Sequence, residues 1–274
     1  MSDTLNFTIL GCGSSLGVPR INGDWGNCDP NEPKNRRLRC SLLVERIGPK
    51  GKTTIVIDTS PDFRQQMLSS NVGKIDAVFY THPHADHVHG IDDLRGYAIT
   101  QKSRITVFAD QTTMTRLYEG FDYCFTQAPG SIHPPILKPY EIEAEKPVVV
   151  TGEGGEIHLL PILQTHGLIH SLGFRFSSDG KLDDGGLCYS PDVSDFPERS
   201  LKFLQNLDCL IIDALQYKLH TSHLSLSQSL EWIDRLKSKR AILTHMHGPL
   251  DYNVVRGEVP KHVEPGFDGL KIIM

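Results

Sequence analysis

Three histidines and an aspartate fall within six consecutive positions of this sequence, as His82, His84, Asp86 and His87. Imidazole nitrogens and carboxylate oxygens bind zinc, manganese and iron, so this segment offers more metal-binding capacity than packing or solubility requires. A chance match to this pattern is expected only about 0.002 times in a chain of this composition. A polar loop with Asp86 as a helix cap is the simpler alternative. We interpret the segment as half of a two-metal site.

The elements around this segment can be predicted from the hydrophobic pattern. Residues 75–81 form a nearly continuous apolar run, which is typical of a strand buried on both faces. Adjacent Asp86 and His87 cannot both point to one face of a strand, because successive side chains alternate. The chain must therefore turn at the strand end, and we expect a helix to begin near His87. Such a turn can direct all four side chains to one point.

Further metal-ligating side chains come just after predicted strands in the second half of the chain. They are His166, Asp192 and His245. Strands that alternate with helices through both halves predict sheets that are covered by helices. His170 could replace His166, and His247 could replace His245, if the strand ends are misplaced. His89 is a further alternative because it lies close to the first segment.

Two aspartates at predicted strand ends are candidates for supporting roles. Asp58 follows the predicted strand 53–57, and a carboxylate there can accept a hydrogen bond from the distal N–H of a metal-bound histidine. A helix cap is the alternative role for Asp58. Asp213 ends a later apolar strand and is a candidate for the same kind of supporting contact.

Length, charge and cysteine usage narrow the class of protein. The 274 residues suffice for one large α/β domain or two small ones. The net charge of −5, with no long basic run, argues against an extended nucleic acid as partner. Six cysteines without a C-x-x-C pair are typical of reduced thiols, so we expect a cytoplasmic protein. No apolar run approaches the ~18 residues of a membrane span.

The order of these motifs resembles the metallo-β-lactamase superfamily over nearly the whole chain. Within the superfamily, the sequence is most similar to the phosphoribosyl cyclic phosphate phosphodiesterase branch. The matching segments are 17–19, 190–192, 197–198, 201–204, 242–245 and 266–269. The resemblance implies an α/β (α+β) fold over 1–274 as a single domain. The implied architecture is an αβ/βα four-layer sandwich of two mixed β-sheets with helices outside, in pseudo-symmetric halves at roughly 1–150 and 151–274.

The resemblance also implies the roles of the site residues. The implied ligands are His82, His84 and His166 for one divalent ion and Asp86, His87 and His245 for a second, with Asp192 bridging. His223 corresponds to a catalytic histidine near the phosphate; its alternative role is that of a neighbour of the following helix cap. Asp86 is a candidate both as ligand and as catalytic residue. We expect zinc or manganese in both positions.

These roles predict a reaction. Two divalent ions about 3.5 to 4 Å apart can hold a shared water as hydroxide and clamp the oxygens of a phosphodiester. We therefore expect a phosphodiesterase that acts on a small cyclic or nucleotide-like phosphodiester, with His223 protonating the leaving oxygen. Alternatives are RNA processing of the tRNA 3′-endonuclease kind, hydrolysis of lactams, lactones or thioesters, and a non-hydrolytic protein resembling the PqqB cofactor-biosynthesis proteins. A monomer and a homodimer both remain open.

Two loops are expected near this site. Relatives carry a C-x-C-x-x-C cluster in the loop after Gly-Val-Pro and complete a structural zinc with a later histidine, whereas only Cys28 is present here within 25–29, and Cys28 and Cys40 alone are too few for such a site. The sequence therefore gives little support for a third metal. Residues 120–147 are rich in aromatic residues and proline, so we expect an irregular excursion beside the site, with His133 on its surface.

Overall fold

Two mixed β-sheets of seven strands each organise the computed structural model over the residues it describes, 4–177 and 179–274. In spatial order the first sheet contains β14 (Lys271–Ile273), β1 (Thr4–Gly11), β2 (Ser41–Gly48), β3 (Gly51–Ile57), β4 (Ala77–Phe79), β5 (Ile105–Ala109) and β6 (Leu137–Glu141). The second contains β13 (Val263–Pro265), β12 (Arg240–Thr244), β11 (Cys209–Asp213), β10 (Leu187–Ser190), β9 (Ile169–Ser177), β8 (Gly155–His166) and β7 (Val148–Gly152).

Strand directions place the functional loops at one edge of each sheet. In the first sheet, β3 to β6 are parallel, whereas β14, β1, β2 and β3 pair antiparallel. In the second sheet, β10 to β13 are parallel, whereas β7 to β10 pair antiparallel. The carboxyl ends of neighbouring parallel strands meet at the same edge, where α/β proteins bind their ligands. The prediction of two mixed sheets is confirmed.

Helices join the strands on both sides. They are α1 (Phe63–Ser69), α2 (Ala85–Val88), α3 (Leu94–Gln101), α4 (Gln111–Phe125), α5 (Glu198–Leu201), α6 (Leu226–Leu236) and α7 (Tyr252–Glu258). Short 3₁₀ turns cover Pro33–Asn35 and Ile91–Asp93. The Ser225 hydroxyl accepts from the Gln228 amide and the Gln228 side chain accepts from the Ser225 amide, a capping box that starts α6. Across the described ranges, no helix is both long and apolar enough to cross a membrane.

Alternating side chains of the first sheet fill two hydrophobic layers. On β2, Leu42 and Val44 face the second sheet, whereas Leu43 packs with residues of α1, α3 and α4. Between the sheets, the rings of Phe79 and Phe174 meet edge to face with centroids 5.6 Å apart. The helices therefore lie outside the paired sheets, as the four-layer sandwich requires.

Two predicted elements differ from the structure. The irregular excursion expected over 120–147 is wrong in part, because α4 continues to Phe125 and Leu137–Glu141 forms an edge strand that pairs with β5. The sequence also predicts a helix over 197–207, and in the structure this helix is shorter and covers Glu198–Leu201. The last short strand, β14, returns to the first sheet although it follows the strands of the second. The single domain with halves near 1–150 and 151–274 stays a prediction.

Candidate metal centre

The first group of predicted ligands lies on the turn between β4 and α2. His84 has an extended backbone and is the residue before the first turn of α2, so His82 and His84 precede the helix while Asp86 and His87 belong to it. The change from extended to helical backbone lets adjacent Asp86 and His87 point to the same centre. This is the local geometry that the spacing of the four residues predicts.

The second group comes from the edge of the other sheet. His166 is the last residue of β8, and Asp192 follows β10 by two positions. His245 directly follows β12 and has a backbone φ of 56°. This left-handed conformation is unfavourable for a residue with a side chain and is found at functional sites more often than elsewhere.

The donor atoms of these side chains gather in overlapping groups, each with its members within 4.8 Å of one another. The groups are His82, His84 and His166; Asp86, His87, Asp192 and His245; and His166, Asp192 and His223. Asp192 links the group that contains His82 with the group that contains His87. Its Oδ1 lies 3.8 Å from His82 Nε2, and its Oδ2 lies 3.1 Å from His87 Nε2. The structure thus brings all seven predicted ligands together.

Four buried polar atoms at this centre have no hydrogen-bond partner among the described residues. They are His82 Nε2, His87 Nε2, His245 Nδ1 and Asp192 Oδ2. His245 Nδ1 lies only 3.2 Å from Asp192 Oδ2, so the atoms converge without bonding. Leaving a buried polar group unpaired costs about 1–3 kcal/mol, and a divalent cation would satisfy such nitrogens and oxygens together. The donor set therefore fits divalent metal binding.

Buried hydrogen bonds hold the rings of His82 and His87 on the side that faces away from the centre. Asp58 Oδ2 lies 2.7 Å from His87 Nδ1 and accepts its N–H. Asp58 also accepts from the Thr81 amide and hydroxyl, each at 2.8 Å, and the Thr81 hydroxyl lies 2.9 Å from His82 Nδ1. Such contacts orient a ring so that its other nitrogen faces the metal. The structure places Asp58 where the sequence predicts a supporting carboxylate, whereas the contacts of Thr81 were not expected.

His166 is oriented by a contact that the sequence does not reveal. Its Nδ1 donates to the backbone carbonyl of Ser222 at 2.6 Å, which leaves Nε2 directed at the centre, 3.2 Å from His84 Nδ1. A backbone carbonyl 56 positions away carries no sequence signal, because any residue type supplies one.

His223 borders the centre, with its side chain 11% exposed. Its ring centroid is 4.7 Å from that of His166 and 4.5 Å from that of His245. His223 Nδ1 donates to Asp213 Oδ2 at 2.6 Å, and Asp213 is fully buried at the end of β11. Asp213 therefore supports His223 rather than one of the proposed ligands.

Burial and neighbouring charges set the protonation of the cluster. Burial lowers the pKa of His82 well below its ordinary value and lowers the pKa of His166 to about 4. Burial acts in the same direction on His87, but Asp192 and the neighbouring carboxylates raise the pKa of His87 above its ordinary range. For Asp192, burial acts to raise the pKa, yet His245 and His87 hold it well below the usual value. His82 and His166 are thus neutral and Asp192 is ionised, as cation binding requires, whereas His87 must release a proton before it can bind a metal ion.

The other histidines that were candidates lie outside these groups. Within the described ranges, none of His89, His133, His170 and His247 belongs to a set of clustered donors. His170 is exposed on β9, and His89 packs edge-on against Phe121. His247 instead contacts Ser14 and Arg20, two residues that motif reasoning did not single out.

Comparison with solved structures supports this architecture. A diphosphatase from the PhnP family is 31% identical to this chain, with a TM-score of 0.85 over 99% of this chain and 97% of that one. Zn(2+)-bound PqqB from Methylobacterium extorquens is 17% identical, with a TM-score of 0.74 over 97% of this chain and 99% of that one. The second similarity shows the shared fold alone.

Comparison with curated proteins and family profiles adds sequence similarity. An octanoyltransferase of Porphyromonas gingivalis (strain ATCC BAA-308 / W83) is 32% identical over 271 residues, which are 97% of this chain and 51% of that protein. The chain thus spans about half the length of this curated relative. The profile of the β-lactamase superfamily domain matches residues 53–246, which include all seven predicted ligands. The chain belongs to the β-lactamase superfamily and has the metallo-β-lactamase fold.

Proposed function

We propose that the protein is a phosphodiesterase that uses two divalent ions, zinc or manganese, to hydrolyse a small cyclic or nucleotide-like phosphodiester. The observation that carries this proposal is the pair of donor groups that Asp192 links through its two carboxylate oxygens. His82, His84 and His166 would hold one ion, and Asp86, His87 and His245 the other, with Asp192 between them. Similarity to a protein described as a diphosphatase favours a phosphate substrate.

The ions, when bound, would supply an activated water and neutralise the charge of the phosphate. The protein must then provide a proton for the leaving oxygen. His223 has its Nδ1 held by Asp213, so its Nε2 is the nitrogen available to the substrate. Burial acts to raise the pKa of Asp86, but His87 holds it below the usual range. We assign Asp86 a second role as the anion that orients the attacking water.

Replacement of the shared carboxylate tests the proposal. We expect Asp192→Ala to lower turnover of bis(p-nitrophenyl) phosphate by more than about 100-fold, since loss of a residue that merely supports a ligand already costs 10–100-fold. Metal content, measured by elemental mass spectrometry, should fall in the same variant. Circular dichroism would show that the variant is folded.

A matched carboxylate serves as control. Asp195 is exposed three positions further on, and its side chain accepts from the Phe196 amide. Asp195→Ala should keep both metal content and turnover. Absence of phosphodiester turnover by wild-type protein with two ions bound would refute the proposal, and turnover of a tRNA precursor instead would favour the RNA-processing alternative.

A further inference from the structure

An exposed histidine lies beside His223 on the loop that joins β11 to α6. The ring centroids of His220 and His223 are 5.3 Å apart. Two further rings contact His223, those of His166 and His245, and both belong to buried residues that we propose as metal ligands. His220 is exposed, whereas the side chain of His223 is only 11% exposed. Of these three rings around His223, that of His220 is therefore the one on the solvent side.

The loop that carries His220 is tied at its base and packed against the end of β8. At the base, the Leu215 amide donates to the Leu224 carbonyl at 2.9 Å. Gly167, just past β8, packs so closely that an added Cβ would lie 2.8 Å from Ser222 Cβ. Contacts within the protein thus hold this loop beside the metal centre, and a residue that is positioned in advance loses less entropy when it binds a ligand.

Hydrogen bonds within the loop decide which nitrogen of His220 carries a proton. The Ser222 amide donates to His220 Nδ1 at 3.3 Å, and the Ser222 hydroxyl lies 3.2 Å from the same nitrogen. Because a backbone N–H can only donate, Nδ1 must accept, and the single proton of the neutral ring is then on Nε2. The Ser222 carbonyl in turn accepts from His166 Nδ1 at 2.6 Å. His220 therefore has one defined tautomer, with its N–H at Nε2.

The Nε2–H of His220 is available to a substrate. Within 4–177 and 179–274, both hydrogen bonds of the ring use Nδ1, and no group bonds to Nε2. The part of a substrate beyond the oxygen that His223 protonates must extend to the solvent side, because the metal ligands occupy the buried side. The ring of His220 borders that path. A donor placed there favours a leaving group with an acceptor oxygen over a hydrocarbon of the same shape.

We propose that His220 is a specificity-determining residue whose Nε2–H binds an oxygen atom of the leaving group, next to the ester oxygen that His223 protonates. The inference rests on the proposed phosphodiesterase function and narrows its substrate class. The preferred leaving group is an alcohol or phenol with a hydroxyl or ether oxygen on the neighbouring carbon. Ser222 positions the ring of His220 and need not contact the substrate.

Two substitutions separate the donor of His220 from its contact with Ser222. The side-chain amide nitrogen of glutamine reaches the position of Nε2, so His220→Gln keeps the donor and loses the acceptor for the Ser222 amide. The side-chain oxygen of asparagine reaches the position of Nδ1, so His220→Asn keeps the contact with Ser222 and loses the donor. A purely structural role of His220, exerted through Ser222 on His166, would be preserved by asparagine and lost with glutamine.

The kinetic test compares methyl 2-methoxyphenyl phosphate with methyl 2-ethylphenyl phosphate. Their leaving groups have the same shape and differ in an oxygen that replaces a methylene group beside the ester oxygen. Wild-type protein and His220→Gln should have the higher kcat/KM for the methoxy compound. His220→Asn should reduce this preference by about 3- to 10-fold, the worth of a neutral hydrogen bond. His170→Asn is the matched control, because His170 is exposed and outside the donor groups, and it should keep the preference.

A binding measurement separates this inference from the proposed function. Methyl 2-methoxybenzylphosphonate and methyl 2-ethylbenzylphosphonate carry a CH₂ group in place of the ester oxygen, so the bond to the leaving group cannot be hydrolysed. By calorimetry on metal-loaded protein, the methoxy compound should bind more tightly to wild-type protein and His220→Gln, and His220→Asn should remove the difference.

The outcomes distinguish the two claims. A difference in binding that only His220→Asn removes, without turnover of either diester, would uphold the contact of His220 and refute the hydrolysis. Turnover of both diesters by wild-type protein with equal kcat/KM and equal binding of the two phosphonates would overturn the assignment of His220. A preference that His220→Asn keeps, or that His220→Gln abolishes, would overturn it as well.

Discussion

At the scale of single residues, His223 and Asp213 carry the proton transfer that we propose. The two side chains are joined at 2.6 Å, and His223 also lies within reach of His166 and Asp192. This placement allows two roles, proton donor or additional metal ligand. The two roles can be distinguished by the leaving group. Loss of a proton donor slows the release of an alkoxide far more than that of a stable phenolate, whereas loss of a metal ligand slows both reactions.

We predict that His223→Gln lowers kcat by about 10²–10⁴-fold for a diester with an alkyl leaving group, the usual contribution of general acid catalysis. The same change should have a much smaller effect on a p-nitrophenyl ester, since p-nitrophenolate leaves without a proton. A series of leaving groups of graded basicity measures this difference. Equal losses throughout the series, together with reduced metal content, would show that His223 is a ligand instead.

At the scale of elements, the loop over 20–40 is held by hydrogen bonds around a buried arginine. Arg37 donates to the Leu250 carbonyl at 2.7 Å and to Asn35 Oδ1 at 3.2 Å. The Cys28 thiol donates to the Gly248 carbonyl at 3.3 Å, and burial raises the pKa of this thiol. Zinc binds the thiolate form of cysteine, so a thiol whose pKa is raised and that donates to a carbonyl is a poorer zinc ligand. Arg37 thus joins the loop to the segment before α7.

We therefore predict no third metal ion. Cys28→Ser should keep the metal content of the wild-type protein, measured by elemental mass spectrometry on protein purified with excess zinc. Arg37→Met should instead lower the free energy of unfolding by about 1–3 kcal/mol, because it leaves the buried Leu250 carbonyl with only the weak thiol donor of Cys28. A further zinc ion per chain that disappears in Cys28→Ser would contradict this account of the loop.

At the scale of the whole molecule, Asp268 connects the end of the chain to the start of the first sheet. It lies between β13 of the second sheet and β14 of the first. Its carboxylate accepts from the Leu38 amide at 2.7 Å and from the Cys12 amide at 3.1 Å. Burial raises the pKa of Asp268 to about 7, although both hydrogen bonds act in the opposite direction.

This pKa predicts a pH dependence of stability with an unusual sign for an aspartate. The unfolded carboxyl titrates near pH 4, so between about pH 4 and 7 the folded protein binds the extra proton. Asp268 therefore makes its full contribution to the free energy of unfolding below about pH 4. This contribution is lost as the pH rises to about 7, by at most about 1.4 kcal/mol per pH unit. Urea unfolding of wild-type protein and Asp268→Asn across this range measures the effect. Parallel stability curves for the two proteins would contradict it.

Much of this protein could be predicted from the types and spacing of its residues. Adjacent Asp86 and His87 require a turn after a buried strand, because a strand cannot point both to one face. The positions of His166, Asp192 and His245 after apolar runs indicate ligands at strand ends. These inferences depend on local periodicity and chemistry, which are encoded within a few neighbouring positions, whereas the four-layer fold was implied by the resemblance to the metallo-β-lactamase superfamily.

Other features were decided by the tertiary structure alone. In the β8–β9 hairpin, Thr165 pairs with His170, so His166 and His170 point to opposite faces of the sheet. A shift of one residue in register would have placed both on the same face. The carbonyl of Ser222 behind His166 and the contact of Arg20 with His247 join residues 56 and 227 positions apart. Such contacts depend on how two sheets pack and where loops return, and no local pattern of residues specifies those distances.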